Sequence, residues 1–540
     1  MTVRQIRGEH VSITDVLRAA ADANAEVEAY VEMDGAGSSG LVPPGTDGRR
    51  RLTFAAWETA SGAVAGMFAS MGVTKGDVVC LLVPSSIDYA LCYQAAARIG
   101  AITTGVNLRM GAAEQASIAA RVHPVVTVVD TDVVAPDAVP LGSGTVLARH
   151  ALIHAWDHDA PPPGATSAHD PVAIVWTSGS TGLPKGAVFD HANLAAVARG
   201  TDVLSQPGDR RLSPLPFAHV GYMTRAWDEI AHGVTTVITP TPWKAAAAIE
   251  LMASERVTVG QGVPTQWALV LDHPDLESAD LSSLRIAGTG AARVPRELVH
   301  AMRDRLGCPV VVRYTSTESC LGTGTLPGDP DEIVASTVGR PVPGVELRVA
   351  GDDGTEVAAG AVGRVRIRSA AVMRGYVAPR GTGGVTIDAA ATASVLATDG
   401  WLTTGDLGWV GPDGNLRLAG RAAEMYIRGG YNVYPAEVEA VIGRHASVTD
   451  VAVVGIGDPV LGEIGAAFVV PAPGTTPELE ALRAWCTKSL ADYKAPDRLF
   501  VLDVLPLTPM GKVDKPALKR SLQPEPGPER SLEPTTRGAR

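Results

Sequence analysis

At 540 residues the chain is too long for one compact domain, and ~100–200 residues per domain predicts several domains or subdomains. Hydrophobic residues make up 46 % and charged residues 19 %, which excludes global disorder; aromatics are 5 %, while 58 glycines and 39 prolines predict an α/β protein with many sharp loops. Forty-six basic against 58 acidic residues leave a net charge of −12, which argues against a nucleic-acid surface working by phosphate neutralisation.

In chain order, the N-terminus MTVRQIRGEHVSITDVLRAA has no apolar core of signal-peptide type. No window approaches ~18 uninterrupted apolar residues, so no membrane span is expected. Cys80, Cys92, Cys308, Cys320 and Cys486 are odd in number, scattered and without a CxxC, which fits a reducing, cytoplasmic setting. A helix is predicted over 13–30, then a Gly/Ser/Pro-rich surface loop over 32–51 that ends in a basic run. From Leu52 helices and strands alternate: a helix over 54–71, a strand Val78–Val83, a helix over 86–99 and a strand Ala101–Val106. Apolar runs recur at 123–129, 172–177, 234–238, 284–288 and 309–314. Buried strands between helices of this length predict a parallel sheet with crossovers.

From about 338 short strands joined by Gly/Asp turns predict a β-rich subdomain. Beyond Arg421 a helix Pro435–Arg444, strands Val448–Val454 and Ala466–Val470, and a helix capped at Thr476–Pro477 read as a separate α+β domain. The expected organisation is therefore an N-terminal domain over 1–420 of parallel-sheet α/β subdomains, with its β-rich part at 338–420. A hinge at 421–424, a small mobile α+β C-terminal domain at 425–520 and a disordered tail at 521–540 complete it.

The strongest local signal is Thr177-Ser178-Gly179-Ser180-Thr181-Gly182-Leu183-Pro184-Lys185-Gly186, directly after an apolar strand. Three glycines let the backbone turn sharply and bring N–H groups to an anion, four hydroxyls add donors, and Lys185 adds charge. That chemistry suits a polyphosphate, although Pro-Lys-Gly closes the loop where the P-loop NTPases place Gly-Lys-Ser/Thr.

This loop resembles the phosphate-loop signature of the adenylate-forming superfamily: acyl-CoA synthetases, nonribosomal adenylation domains and firefly-type luciferases. Further segments are similar in the same order: PLPFAH at 214–219, GTGAA at 288–292, YTSTE at 314–318, TGDL at 404–407, Gly420-Arg421 through Glu437, and TPMGK at 508–512. The resemblance spans roughly 50–520 and implies an ATP-dependent carboxylic acid–CoA ligase. Such an enzyme makes acyl-AMP and pyrophosphate, then acyl-CoA and AMP, as the C-terminal domain swings.

The same resemblance assigns residues. Thr177, Ser178, Gly179, Ser180, Thr181, Gly182 and Lys185 would cradle phosphates, and Thr317 would face the α-phosphate. Gly290, Ala291 and Ala292 would lie against adenine, on which Tyr314 offers a flat face. Glu318 would hold Mg2+, Asp406 the ribose hydroxyls, and Arg421 a ribose or phosphate oxygen. Lys512 would bridge the carboxylate and the α-phosphate, neutralising the approach of two negative groups. His219, Gly262, Val263, Gly288 and Arg313 would line the acyl pocket, and Arg428, Gly429 and Gly430 the path of CoA, with Glu424 as the hinge acid. Read from the residues alone, Tyr314 is equally a core tyrosine, Glu318 a loop carboxylate, Asp406 a turn residue, His219 a core histidine and Lys512 a surface lysine; their motif order assigns them.

Departures from the family pattern carry information. Ala423-Glu424 replaces a Lys-Asp pair at the hinge, and Thr315 stands where a glycine is usual. Arg313 precedes the tyrosine, as in malonyl-CoA synthetases, which implies a polar or dicarboxylic acid; an ordinary surface salt bridge is the other reading of that arginine. The alternative acceptor is an acyl carrier protein's phosphopantetheine, and an alternative of another class is a non-catalytic nucleotide-binding module. Expected partners are therefore a small carboxylic acid, ATP and CoA, with no nucleic acid.

Overall fold

The computed structural model describes residues 12–33, 40–134, 144–177, 184–201, 203–291, 294–378, 385–429, 431–508 and 512–522. The chain divides into two compact units, 1–418 and 419–540. Among the described residues, no helix is long and apolar enough to cross a membrane.

Two large sheets build the first unit. The nine-stranded sheet runs in the order 340–341, 323–324, 310–314, 286–290, 259–262, 210–213, 235–238, 28–33, 49–53. Its interior pairs are parallel and its two edges antiparallel. The seven-stranded sheet runs 375–376, 185–190, 171–177, 102–105, 78–82, 126–129, 145–148, parallel except where the hairpin 171–190 and the short strand Gly375–Tyr376 add antiparallel neighbours. The predicted crossover sheet is thus present twice, with antiparallel edges that short apolar runs do not announce.

Two expectations for the N-terminal residues are corrected. The helix predicted over 13–30 ends at Ala23, and Glu28–Met33 is a strand. Its apolar spacing continues past Ala23, but Tyr30, Val31 and Glu32 pair in parallel with Thr236, Val237 and Ile238, and sheet pairing overrides local helical pattern. The basic run read as the end of a loop is likewise the strand Arg49–Thr53, antiparallel to that one.

The helices between the sheets are apolar nearly all round, as fully buried helices must be. Phe54–Ser70 is capped by Thr53, whose hydroxyl accepts Ala56 N–H, and buries Phe54, Trp57 and Phe68. Ile87–Arg98 is capped in the same way by Ser86. They share one core with Tyr30, Tyr89, Tyr93, Phe217 and Tyr222. A buried charge cluster ties this core together. Arg149 meets Asp88 at 2.7 Å, Asp130 at 2.8 Å and Glu32 at 3.6 Å, while Arg50 lies 3.8 Å from Asp88. On the opposite side of the nine-stranded sheet a second core gathers Trp267, Leu251, Met252 and Met302.

A four-stranded sheet follows, 346–350, 363–368, 402–410 and 416–421 in spatial order. The second unit carries the long hairpin 448–458/462–471 with short strands at 426–428, 431–433 and 498–501. Val438, Ile442, Leu482 and Cys486 of two helices pack beneath it. The second of those helices starts later than the Thr476–Pro477 cap predicted: it runs Leu479–Cys486, with Glu478 at the cap position and no side-chain cap bond. The tail expected to be disordered lies outside the described residues from 523 onward.

Candidate active site

In an open parallel sheet the crevices for ligands lie beyond the carboxyl ends of the strands. In the first unit the sequence-predicted residues sit there. Thr177 ends 171–177, Gly262 ends 259–262, Gly290 ends 286–290 and Tyr314 ends 310–314, while the segment to His219 follows 210–213.

Thr177 and Lys185 are opposite each other in the antiparallel hairpin, and the Thr177 hydroxyl donates to the Lys185 carbonyl at 3.3 Å. They stand at the two ends of the segment expected to bind phosphate; Ser178, Gly179, Ser180, Thr181 and Gly182 lie outside the described residues. From Lys185 a chain of contacts leads across the site. Its ammonium stands 5.3 Å from the centre of the Tyr376 ring, and the Tyr376 hydroxyl donates to Glu318 Oε1 at 2.8 Å. Burial, and then the Glu318 carboxylate beside it, push the Tyr376 hydroxyl well above its usual pKa, so it stays a donor at any physiological pH. Tyr376 was not among the residues read from the sequence. It stands on a two-residue strand paired to Ala187 and Val188, so only this pairing brings it near Lys185.

The second link joins the far ends of YTSTE and TGDL. The Tyr314 hydroxyl donates to Asp406 Oδ2 at 2.7 Å, and the Thr404 hydroxyl accepts the Asp406 N–H at 3.2 Å. Tyr314 and Asp406 are both buried, whereas Thr317 and Glu318 are half-buried and Thr315 is exposed. Between them the turn is closed by Ser316 and Ser319, each accepting the other's backbone N–H through its hydroxyl.

Sheet register sorts the proposed pocket residues by face. Gln261 pairs with Gly288, and Gly290 with Arg313, so these four share one face. Gly262 is on the other, where the ring of Trp267 comes within 3.1–3.4 Å of the position a Cβ would take. Gln261, absent from the sequence assignment, therefore lies nearer in register to Gly288 than Gly262 does. The Arg313 side chain crosses Gly324, its antiparallel partner, where any Cβ would collide with the guanidinium. Val263 begins the helix Pro264–Leu271 and donates its N–H to Gln266. Ala291 has φ +63, a left-handed conformation unusual for a residue with a Cβ; Ala292 lies outside the described residues.

His219 caps the short helix Val220–Met223, accepting the Gly221 N–H at Nδ1, 3.2 Å away. Acceptance there requires the lone pair on Nδ1 and leaves the ring hydrogen on Nε2. The segment is braced from below: Phe217 stacks on Tyr222 at 3.5 Å, Tyr222 and Tyr30 share a hydrogen bond of 2.9 Å, and Tyr93 donates to the Met223 carbonyl at 2.8 Å.

The remaining assigned residues belong to the second unit. The Arg421 carbonyl accepts the N–H groups of Glu424 and Met425, forming a single turn. Arg428 makes a two-pronged ion pair with Asp497 at 2.9 and 2.7 Å, so its guanidinium is engaged within this unit. Gly429 has φ +55 and donates to the Leu461 carbonyl at 2.8 Å; Gly430 lies outside the described residues. Lys512 is exposed at the foot of a small loop, where its carbonyl accepts Thr508 N–H at 2.6 Å.

Residues 17–377 match the family model described as AMP-binding enzyme, and 437–512 match the AMP-binding enzyme C-terminal domain. A 3-[(3aS,4S,7aS)-7a-methyl-1,5-dioxo-octahydro-1H-inden-4-yl]propanoyl:CoA ligase of Mycobacterium tuberculosis is 35 % identical, covering 87 % of this chain and 94 % of its own. An indoleacetate–CoA ligase of Aromatoleum aromaticum is 34 % identical, covering 88 % and 95 %. Among solved structures, a Mycobacterium tuberculosis fatty acyl CoA synthetase superposes with a TM-score of 0.73 at 30 % identity, covering 95 % of this chain and 98 % of that one.

Proposed function

The chain belongs to the AMP-binding enzyme family and is an ATP-dependent acid–CoA ligase working through an acyl-adenylate, and we propose that its two units divide the reaction between them. The N-terminal body, 1–420, binds ATP and the acid. The C-terminal domain, 425–520, turns about 421–424 to bring first Lys512 and then the 428–430 segment to the reacting atoms.

The observation that carries this reading is a pair of links, Lys185 over the Tyr376 ring with Tyr376 hydrogen-bonded to Glu318, and Tyr314 hydrogen-bonded to Asp406, on either side of the half-buried Thr317 in the chain. Tyr314 offers its ring to adenine while its hydroxyl steadies Asp406, whose carboxylate accepts the ribose hydroxyls. Lys185 and Thr177 face the β- and γ-phosphates with the loop between them, and Thr317 the α-phosphate. Glu318 fits a hard cation: it is half-buried, and Tyr376 engages one of its oxygens. Among the described residues no three His, Cys, Asp or Glu side chains gather as a metal site, so the protein's share would be this single carboxylate, with phosphate and water oxygens completing the shell. Bound Mg2+ would neutralise phosphate charge.

In the first step a carboxylate oxygen of the acid attacks the α-phosphorus, the bond to the β-phosphate bridge breaks, and pyrophosphate leaves. Lys512 screens the repulsion between the two anions during that approach. In the second, the CoA sulfur attacks the acyl carbon, the bond from that carbon to the phosphate oxygen breaks, AMP leaves and the thiol proton passes to solvent. His219, with its hydrogen on Nε2, offers a neutral donor beside the acyl group. Arg313 shares a sheet face with Gly288 and Gly290, which supports a polar or dicarboxylic acid; Arg313→Ala relaxes that preference. The five cysteines are free, which supports a reducing, cytoplasmic setting.

The test is carboxylate-dependent ATP–pyrophosphate exchange without CoA, across a panel of acids, followed by CoA. The reading predicts exchange with at least one acid, then AMP released in step with thioester. Absence of exchange with every acid contradicts it, and AMP release only with a holo-carrier would move the acceptor from free CoA to a protein.

A further inference from the structure

The most unexpected charge arrangement outside the nucleotide residues lies within the second unit. Lys515, the first residue of the helix Lys515–Arg520, places its ammonium 2.7 Å from Glu424 Oε2 and 2.7 Å from Glu439 Oε1. Its side chain is 15 % exposed, as is that of Glu439, while Glu424, at 36 %, closes the triad from the solvent side. Each member is fixed from a second direction. The same Glu439 oxygen accepts the Val453 N–H at 2.8 Å, which ties it to the central hairpin. Glu424 is held at its backbone by the Arg421 carbonyl, 3.0 Å away.

Lys515 also stands at the base of the loop that carries Lys512. Leu507 and Val513 form a bridge across that loop, Asp514 N–H donates to the Pro506 carbonyl at 2.7 Å, and the Asp514 carboxylate caps the helix through Ala517 N–H. Leu518, one turn on, is buried with Leu505, Ala452 and Val454. The loop foot, the helix and the hinge acid are therefore one mechanical piece, and the ammonium of Lys515 links the hinge acid to the other two.

We propose that Lys515 is a positioning residue that fastens Glu424 to the foot of the Lys512 loop, so that rotation of the chain ahead of Glu424 is passed to Lys512 without slack. Glu424 then belongs to the body that turns, and the rotation falls at the start of the 421–424 hinge, ahead of the turn that the Arg421 carbonyl closes onto Glu424. Gly420 suits a pivot because its φ of +135 is open to glycine and strained for other residues. The inference rests on the reading that Lys512 serves adenylation and that 421–424 is the hinge. It also supplies the anchor for a hinge acid that lacks the usual lysine before it in sequence: the lysine comes from 91 residues later.

The experiment uses the full chain with Lys515→Met, Lys515→Arg and Glu424→Gln. Three quantities are read: carboxylate-dependent ATP–pyrophosphate exchange, thioester formation from supplied acyl-adenylate and CoA, and melting temperature. Lys515→Met is expected to lower the exchange kcat about tenfold, leave the KM for ATP within about twofold, and leave thioester formation within about threefold. Lys515→Arg restores exchange to within about threefold, and Glu424→Gln, which keeps the Lys515–Glu439 pair, shows a smaller loss in the same step. Equal loss in both steps together with a lowered melting temperature reduces Lys515 to a structural lysine and overturns the proposal. Unchanged exchange in both Lys515→Met and Glu424→Gln does so as well. A wild-type chain without exchange would instead defeat the adenylation reading, so the two failures are distinct.

Discussion

The 1–418 unit and the 419–540 unit treat their candidate catalytic groups in opposite ways. In the first, Tyr314, Asp406, Tyr376 and Glu318 are buried or half-buried and already hydrogen-bonded to one another. In the second, the polar side chains that are fastened, Arg428 to Asp497 and Lys515 to Glu424 and Glu439, hold the scaffold, while Lys512 stands exposed at a loop foot. Nucleotide recognition needs preorganised donors and acceptors that lose little freedom on binding. A lysine that serves one of two half-reactions needs a rigid carrier and an exposed side chain. The difference is what a division between holding and delivering requires.

That contrast can be broken at its most exposed point first. Lys512→Ala should lower ATP–pyrophosphate exchange by about a hundredfold or more while leaving ATP binding within a few-fold, because the charge it is proposed to supply acts in the transition state. Asp406→Ala strikes the preorganised side and should raise the KM for ATP by about ten- to a hundredfold, since it removes the proposed ribose acceptor and takes from the buried Tyr314 hydroxyl its acceptor at 2.7 Å. Tyr376→Phe keeps the ring near Lys185 but removes the donor to Glu318. Exchange should fall about fivefold to tenfold, with half-saturation shifted to higher Mg2+, and titrations of Mg2+ at fixed ATP read both.

The smallest effect on activity, and a distinct one on stability, concerns the buried charge cluster of the first unit. Three carboxylates, Glu32, Asp88 and Asp130, face two guanidinium groups there. Burial, only partly offset by the Ile87 N–H and by Arg149, pushes Glu32 up to about 7. A carboxyl raised above its unfolded value of 4.5 favours folding fully below that pH, and the contribution is lost as pH rises through about 7. Glu32→Gln should therefore be more stable than wild type at pH 8, by on the order of 2–3 kcal/mol, with the gap closing toward about pH 5. Melting curves at the two pH values, with exchange activity unchanged, check this.

Much of this was legible in the residues. Ordered motifs announced the chemistry, and short apolar runs such as Val78–Leu82 and Val310–Tyr314 announced buried strands, because strands covered on both faces read as continuous apolar segments. What escaped was set by partners remote in sequence. The stretch from Glu28 to Tyr30 looks helical until the strand Thr235–Ile238 pairs alongside it. Tyr376 gains its meaning from Glu318, 58 residues before it, and Arg428 from Asp497, 69 residues after. Gln261 was hidden by a period of two: a one-residue shift along the strand moves a side chain to the opposite face, so the neighbouring Gly262 falls on the face away from Gly288. The single signal available for Tyr376 was its place beside Gly375, a glycine with φ +150 whose Cβ would crowd Ile387 and Thr392.

The claim that the two units divide holding from delivery is tested most directly by giving Lys512→Ala a preformed acyl-adenylate and CoA and timing a single turnover to thioester. The account predicts a rate within a few-fold of wild type, although the same variant has lost exchange. A thioester step reduced as severely as adenylation would contradict it.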